Sequence, residues 1–279
     1  MVKKPSFRPV YLAVPVFLCC LIFVIEALTG EKLQYTFDFV GYGGTFRYHD
    51  LKILGLPAYW FMMLLGLVVS IMVSVRQRRY SGLQKWEAWV LPVAFLAVCF
   101  LGGKLLYVLE NWDAVAANGI NFSGLSLFGA IYLVPGAAFL ATRWWKRNFW
   151  ALLDLCALLG LTLLVCVRVG CFFSGCCGAQ KFWLGEKPVL LPVQLMEVVM
   201  DLVIAEVCLH LRKKSNRPGQ MYPAFLASYG AGRFLLNFLR NEIKVLWIFS
   251  AGQLLAVGAV VLGIGMGHLL KRHKNVKGK

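Results

Sequence analysis

Residues 150–168 read Trp-Ala-Leu-Leu-Asp-Leu-Cys-Ala-Leu-Leu-Gly-Leu-Thr-Leu-Leu-Val-Cys-Val-Arg. One acid, Asp154, sits near the start and one base, Arg168, closes the stretch. A bilayer core needs about 20 mainly apolar residues per helical crossing. The stretch therefore predicts a membrane-spanning helix. Seven more apolar segments surround it, at 9–28, 53–75, 88–109, 124–142, 191–211, 221–238 and 248–270. Together they predict an all-α polytopic membrane protein of about eight transmembrane helices. The composition agrees, with 59% hydrophobic and 15% charged residues in 279. A soluble domain carries about 25% charge, so a soluble chain and a disordered one are both excluded. No period-two alternation supports a β-barrel.

The turns between segments fix an orientation. Lys3, Lys4 and Arg8 precede the first segment, and Arg76, Arg78, Arg79 and Lys85 follow the second. Arg143, Lys146 and Arg147 follow the fourth, and Arg212, Lys213, Lys214 and Arg217 the sixth. Lys271, Arg272, Lys274, Lys277 and Lys279 form the tail. These five stretches hold nineteen of the 29 bases and fall on one side if there are eight crossings. The positive-inside rule then places both termini in the cytoplasm. The net charge of +16 is explained by these loops, not by nucleic acid. The four parts expected are an N-terminal helix at 1–28, an extracytoplasmic arm at 29–52, a membrane domain at 53–270 and a basic tail at 271–279. The first segment also has the outline of a signal peptide, but its length and the weak Glu26-Ala27-Leu28-Thr29-Gly30 site favour retention. The arm carries Tyr35, Phe37, Phe39, Tyr42, Phe46 and Tyr48, aromatic residues suited to a membrane interface.

Four bases lie where a bilayer disfavours them: Lys104, Arg168, Arg233 and Arg240. A cation in a membrane costs about 2.5–3.5 kcal/mol on insertion scales and marks a functional site by default; the plain alternative is snorkelling to the interface. Tyr229, Arg233 and Arg240 share a helical face at i, i+4 and i+11. Arginine's planar fork suits phosphate, so such bases predict a phospholipid headgroup site. Gln194, Glu197 and Asp201 share a face of the sixth crossing, where their polarity needs partners among those bases or nearby Ser and Tyr. Asp154 is expected to cap its own helix or pair with a neighbouring base.

Residues 168–178, Arg-Val-Gly-Cys-Phe-Phe-Ser-Gly-Cys-Cys-Gly, read as a loop after the fifth crossing. Gly170 and Gly175 permit close backbone approach, and exposed amides in such a loop form an anion-binding nest. Cys171, Cys176 and Cys177 are read chiefly as small packing residues. A thiol nucleophile near Arg168 is a second reading. Zinc is a poor third, because Cys-x4-Cys-Cys has no histidine and no paired spacing. No metal and no cofactor are expected. Nine cysteines, mostly inside apolar runs, do not describe a secreted disulfide framework.

These motifs resemble the prolipoprotein diacylglyceryl transferase family over roughly residues 50–270. Gly102-Gly103-Lys104-Leu105-Leu106-Tyr107 resembles its Gly-Gly-Arg-x-x-Tyr segment, and Gly124-Leu125-Ser126-Leu127-Phe128-Gly129 its Gly-Met-Ser-x-His-Gly segment. The run from Val167 to Cys176 is similar to its Gly-Arg-x-Gly-Asn-Phe-x-Asn-Gly-Glu signature. Leu191 to Glu197 is similar to His-Pro-x-Gln-Leu-Tyr-Glu, and Tyr229 to Arg240 to Tyr-Gly-x-x-Arg-Phe-x-x-Glu-x-x-Arg. Ser250-Ala251-Gly252-Gln253 matches Ser-x-Gly-Gln, and Tyr59 takes the place of an early family tyrosine.

The resemblance implies a multi-pass enzyme of the bacterial cytoplasmic membrane. It would move the diacylglyceryl group of phosphatidylglycerol, or a related lipid-derived group, to an acceptor at the outer face. Arg168 and Arg233 would hold the phosphate, with Arg240 and Lys104 in support. Tyr59, Tyr107 and Tyr229 would orient the headgroup, and Gly170, Cys171, Gly175, Gln194 and Gln253 would line the site. No general base stands out, and Glu197 is a weak candidate for that role. The departures are Phe128 for a histidine, Cys171 for an asparagine, Cys176 near an acid, Asn237 for a glutamate, Lys104 for an arginine and Leu191 for a histidine. They leave the acceptor open: a protein cysteine, or a lipid or glycan. A non-catalytic lipid-binding or scaffold homologue is the alternative, and a thiol-redox membrane protein a further one.

Overall fold

A computed structural model of the protein describes residues 10–38, 43–119, 124–215 and 218–276. Phe39 and Tyr42, and the bases Lys3, Lys4, Arg8, Arg217, Lys277 and Lys279, lie outside the described residues. Eight long helices follow in chain order: α1 (Val10–Thr29), α2 (Ala58–Ser81), α3 (Lys85–Glu110), then the short α4 (Trp112–Asn118), α5 (Leu127–Trp145), α6 (Phe149–Ser174), α7 (Val193–Ser215), α8 (Met221–Leu236) and α9 (Ala251–Val276). Five of them, α2, α3, α5, α6 and α9, are long and apolar enough to cross a membrane. Two others fall short for visible reasons. α7 carries Glu197, Asp201 and Glu206 in its body, and α8 is 16 residues long.

α6 is the hub. Of its apolar window 67% is buried, against 22–33% for the other four spans; α2, α3, α5, α7 and α8 pack on it, while α9 lies against α8 and α5. Small residues bring the helices together, as expected where lipid supplies no hydrophobic drive between them. A Cβ on Gly66 would lie 2.9 Å from the Cβ of Cys166, and one on Gly170 would lie 3.2 Å from the Cβ of Met62. Those two contacts run in opposite sequence directions, so α2 and α6 are antiparallel. Gly102 and Gly129 meet backbone to backbone between α3 and α5.

The end of the bundle opposite the basic turns is finished in β-structure, which the all-α expectation leaves out. Strands β1 (Leu33–Asp38) and β2 (Gly43–Tyr48) form an antiparallel hairpin, extended by β5 (Ala179–Gln180). This sheet lies on the end of α6, with Phe46 against Phe172 and Tyr48 against Phe173. Three small hairpins complete the surface: β3 (Lys52–Ile53) with β4 (Leu56–Pro57), β6 (Phe182–Leu184) with β7 (Lys187–Val189), and β8 (Lys244–Leu246) with β9 (Phe249–Ser250). The second apolar segment thus begins as a hairpin, and its helix starts five residues later than the apolar pattern suggests, at Ala58.

The largest correction concerns residues 168–174. They continue α6 to Ser174, so Gly170 and Cys171 are helical and supply no loop nest. Gly170 is a packing residue toward Tyr59 and Met62. The chain leaves the helix at Gly175, whose φ of 63° is the left-handed cap glycine tolerates. Likewise α8 stops at Leu236, and a 3-10 turn over Asn237–Leu239 follows. Arg240 is therefore on extended chain beyond that helix.

Asp154 caps neither its own helix nor a base. Its Oδ1 accepts from the backbone N–H groups of Met221 (2.9 Å) and Tyr222 (3.0 Å). Its Oδ2 accepts from Gly219 N–H (2.6 Å) and the Tyr80 hydroxyl (3.1 Å). A carboxylate from α6 thus satisfies the orphan donors that open α8.

Candidate functional site

Three arginines meet on one carboxylate beneath the β-structure. Glu197 is 1% exposed. Arg168 Nε lies 2.5 Å from its Oε2, while Arg233 Nη1 and Arg240 Nη1 both pair with its Oε1, the latter at 3.1 Å. A second carboxylate, Glu242, takes Arg240 Nε at 2.9 Å and Arg233 Nη2 at 3.6 Å. Buried charges persist in an apolar bundle only when paired, and these ion pairs explain how α7 and α8 hold charges at this depth. Each guanidinium carries five N–H donors, and these pairs engage only part of them. The Tyr229 hydroxyl bonds Arg168, and the Phe128 ring meets Tyr229 edge-on.

The polar face expected on α7 is present, with divided duties. Gln194 Nε2 donates to the Cys176 carbonyl at 2.7 Å, Glu197 collects the arginines, and Asp201 is fully buried with neither oxygen hydrogen-bonded among the described residues. Asn237 Nδ2 donates to Glu242 Oε2 at 3.1 Å, and the Ser250 hydroxyl donates to the same oxygen at 2.9 Å. Ser250 and Gln253 form a capping box at the start of α9. Ser250 N–H donates to Gln253 Oε1 (2.9 Å), and Gln253 N–H to Ser250 Oγ (3.3 Å). Gln253 is fully buried in that duty.

Beyond α6, Cys176 N–H donates to the Cys171 carbonyl at 3.1 Å, and Cys177 takes a left-handed φ of 60°. This turn folds the loop back on the helix. The sulfurs of Cys171, Cys176 and Cys177 come to lie within 4.8 Å of one another. Hydrogen bonds from the other two thiols, with Arg240 and Arg168 behind them, hold the Cys177 thiol well below its ordinary pKa.

The family model described as prolipoprotein diacylglyceryl transferase matches residues 49–268. The chain belongs to the prolipoprotein diacylglyceryl transferase family. Among curated relatives, the phosphatidylglycerol–prolipoprotein diacylglyceryl transferase of Clostridium tetani (strain Massachusetts / E88) is 24% identical over 239 residues, covering 78% of this chain and 94% of the relative. The enzyme numbered 2 of that name in Clostridium perfringens (strain 13 / Type A) is 27% identical over 251 residues, covering 82% and 95%. That of Clostridioides difficile (strain 630) is 24% identical over 237 residues, covering 80% and 95%.

Family motifs far apart in the chain converge here, but not all of them. Arg168, Gln194, Glu197, Tyr229, Arg233 and Arg240 share one set of contacts with the turn at Cys176. Tyr59 borders that turn through Gly170. Lys104 and Tyr107 meet near the C-terminal end of α3. Lys104 Nζ lies over the Tyr107 ring at 4.9 Å and donates to the Gly124 carbonyl at 3.4 Å. Gly175 packs against Arg47 of β2. Sequence reading missed Glu242. The available signal was its place two residues after Arg240 on extended chain, where alternate side chains share a side.

Proposed function

We propose that this chain transfers the diacylglyceryl group of phosphatidylglycerol to a cysteine thiol of a prolipoprotein, at the outer face of a bacterial cytoplasmic membrane. Residues 53–270 form the enzyme body, and the first helix and the 29–52 arm are additions to it. We further place all eight long helices across the bilayer with both termini inside, because the basic stretches alternate with the helices.

The observation that carries the reading is the buried cluster of Arg168, Arg233 and Arg240 on Glu197. The lipid phosphate takes up the guanidinium donors that Glu197 and Glu242 leave unused, in the forked geometry arginine favours. The acceptor thiolate attacks the glyceryl carbon. A sulfur–carbon bond forms, the carbon–oxygen bond to phosphate breaks, and glycerol phosphate leaves with the electron pair. The arginines stabilise the charge that develops on the departing phosphate. Glu197, with both oxygens engaged by arginines, acts as their counter-ion and is poorly placed to accept a proton. Glu242, whose side chain is 24% exposed, is the better proton acceptor for the incoming thiol. It restores in space a carboxylate that the family pattern has at position 237, where this chain has Asn237.

The test uses the purified full-length protein in detergent, phosphatidylglycerol labelled in its headgroup, and a peptide carrying a prolipoprotein cysteine. The expected result is a diacylglyceryl mass gain on the peptide together with release of labelled glycerol phosphate. Neither product forming, under conditions where a characterised family enzyme gives both, would overturn the proposal.

A further inference from the structure

We propose that Cys171, Cys176 and Cys177 form a binding site for a single soft cation, copper(I), at the wall of the arginine cluster. Three observations carry it. The sulfurs come from one helix end and the turn after it, and all lie within 4.8 Å of one another. With metal–sulfur bonds of about 2.3 Å, a planar three-sulfur site has its sulfurs about 4 Å apart. The thiols therefore need to close by less than about 1 Å. Second, the turn that gathers them is held in place. Gln194 Nε2 fixes the Cys176 carbonyl at 2.7 Å, Cys176 N–H returns to the Cys171 carbonyl, and Gly178 packs against the Gly44 backbone. Third, the gathering costs backbone strain. Cys177 holds φ at 60° without being glycine, a conformation that costs of order 1 kcal/mol and persists where surroundings impose it. A packing role alone does not require a thiol at that position.

The ligand set selects the ion. Among the described residues no histidine or carboxylate joins the three sulfurs. Zinc in structural sites takes four ligands in a tetrahedron. Copper(I) is soft, favours thiolates and accepts three of them. Each thiol that ligates releases its proton to solvent, and the resulting anionic site is compensated by Arg168 and Arg240, both within electrostatic reach of Cys177. Cys171 is 4% exposed while Cys176 and Cys177 are partly open, so the ion enters from the loop side. No other such group of three occurs among the described residues.

The experiment titrates the reduced, metal-free, full-length protein in detergent with copper(I) buffered by bathocuproine disulfonate. One tight equivalent is expected, with a sulfur-only first shell by X-ray absorption. Cys171→Ser and Cys177→Ser should each weaken binding at least tenfold, while Cys166→Ser and Cys208→Ser, which lie outside the three-sulfur group, leave it unchanged. No tight binding, or binding that survives replacement of all three cysteines, would overturn the site. Should the triple variant fail to fold, maleimide labelling of the unmodified protein decides. Copper(I) should protect Cys171, Cys176 and Cys177 and leave the exposed Cys19 and Cys20 reactive. Equal labelling with and without copper would overturn the site equally. Neither readout involves lipid transfer, so failure here leaves the transferase proposal standing.

Discussion

Arg168 binds Glu197 through Nε and meets the Tyr229 hydroxyl, which still leaves guanidinium donors for a phosphate. Lysine at that position keeps the charge but has no second prong. Losing a charge-assisted hydrogen bond costs about 1.5–3 kcal/mol, roughly tenfold to a hundredfold in rate. Arg168→Lys should lower kcat/KM for phosphatidylglycerol by that factor, measured as glycerol phosphate released, and an unchanged value would remove Arg168 from the donor site. Glu242 invites a sharper test, because its Oε2 sits 3.1 Å from Asn237 Nδ2. Asn237→Glu places two carboxylates at hydrogen-bond distance, where like charges repel. Asn237→Glu alone and Glu242→Gln alone should each reduce transfer about tenfold or more. The two together move the acid to position 237 and the amide to 242, and should recover most of the loss. A double variant no better than the worse single one would show that the two positions do not exchange roles. Residue chemistry of this kind was only half visible in the chain. The arginines stood out because charge is rare in apolar runs. Glu242 did not, because an acid in a polar loop is unremarkable until folding brings it to Arg233 and Arg240.

At the scale of elements, hydropathy located all eight long helices among the described residues, because each is a sustained, mainly apolar run, and for five of them the run is long enough to meet the bilayer's demand. It failed at their ends, where other forces decide. Residues 168–174 continue α6 because Gly170 serves packing against Tyr59 and Met62, and nothing breaks the helix before the left-handed turn at Gly175. The small hairpins were hidden for a different reason: two- and three-residue strands, such as β3 and β4, are too short to show alternation. The partners of Asp154 do not show in the sequence because the backbone ones lie 65 to 68 residues away and Tyr80 lies 74 away. That contact makes α8 depend on α6, and through it the position of Tyr229 and Arg233. Asp154→Ala leaves the N–H groups of Gly219, Met221 and Tyr222 without their acceptor in a buried place. The cost should be about 1–3 kcal/mol, seen as a fall of several degrees in Tm in detergent. Asp154→Asn keeps one acceptor oxygen and should lose less. Equal Tm values for all three proteins would show that the cap contributes nothing.

For the whole molecule, the open matter is how many of the eight helices cross, and it reduces to parity. Five helices qualify on apolarity alone, whereas α7 carries three acids in its body and α8 has 16 residues. An acid or a base alone in a bilayer is expensive. Glu197 is not alone: the ion pairs with Arg168, Arg233 and Arg240 tie α7 to α6 and to the C-terminal end of α8, so these charges sit in the bundle as a paired group. α8 packs antiparallel on α9, where Gly230 meets Ala256 and Gly263 meets Pro223. On the proposed topology both helices cross, and the count is even. The basic stretches at 76–85, 143–147 and 212–214 then face the same side as the tail, in keeping with the positive-inside rule. If α7 or α8 alone failed to cross, the tail would be on the opposite side from the N-terminus. An alkaline phosphatase reporter needs an oxidising exterior to form its disulfides, so it discriminates the two cases. Fused after Lys279 it should be inactive, and fused after Asn111, at the outer end of α3, it should be active. Strong activity after Lys279 would make the number of crossings odd and overturn the eight-helix topology.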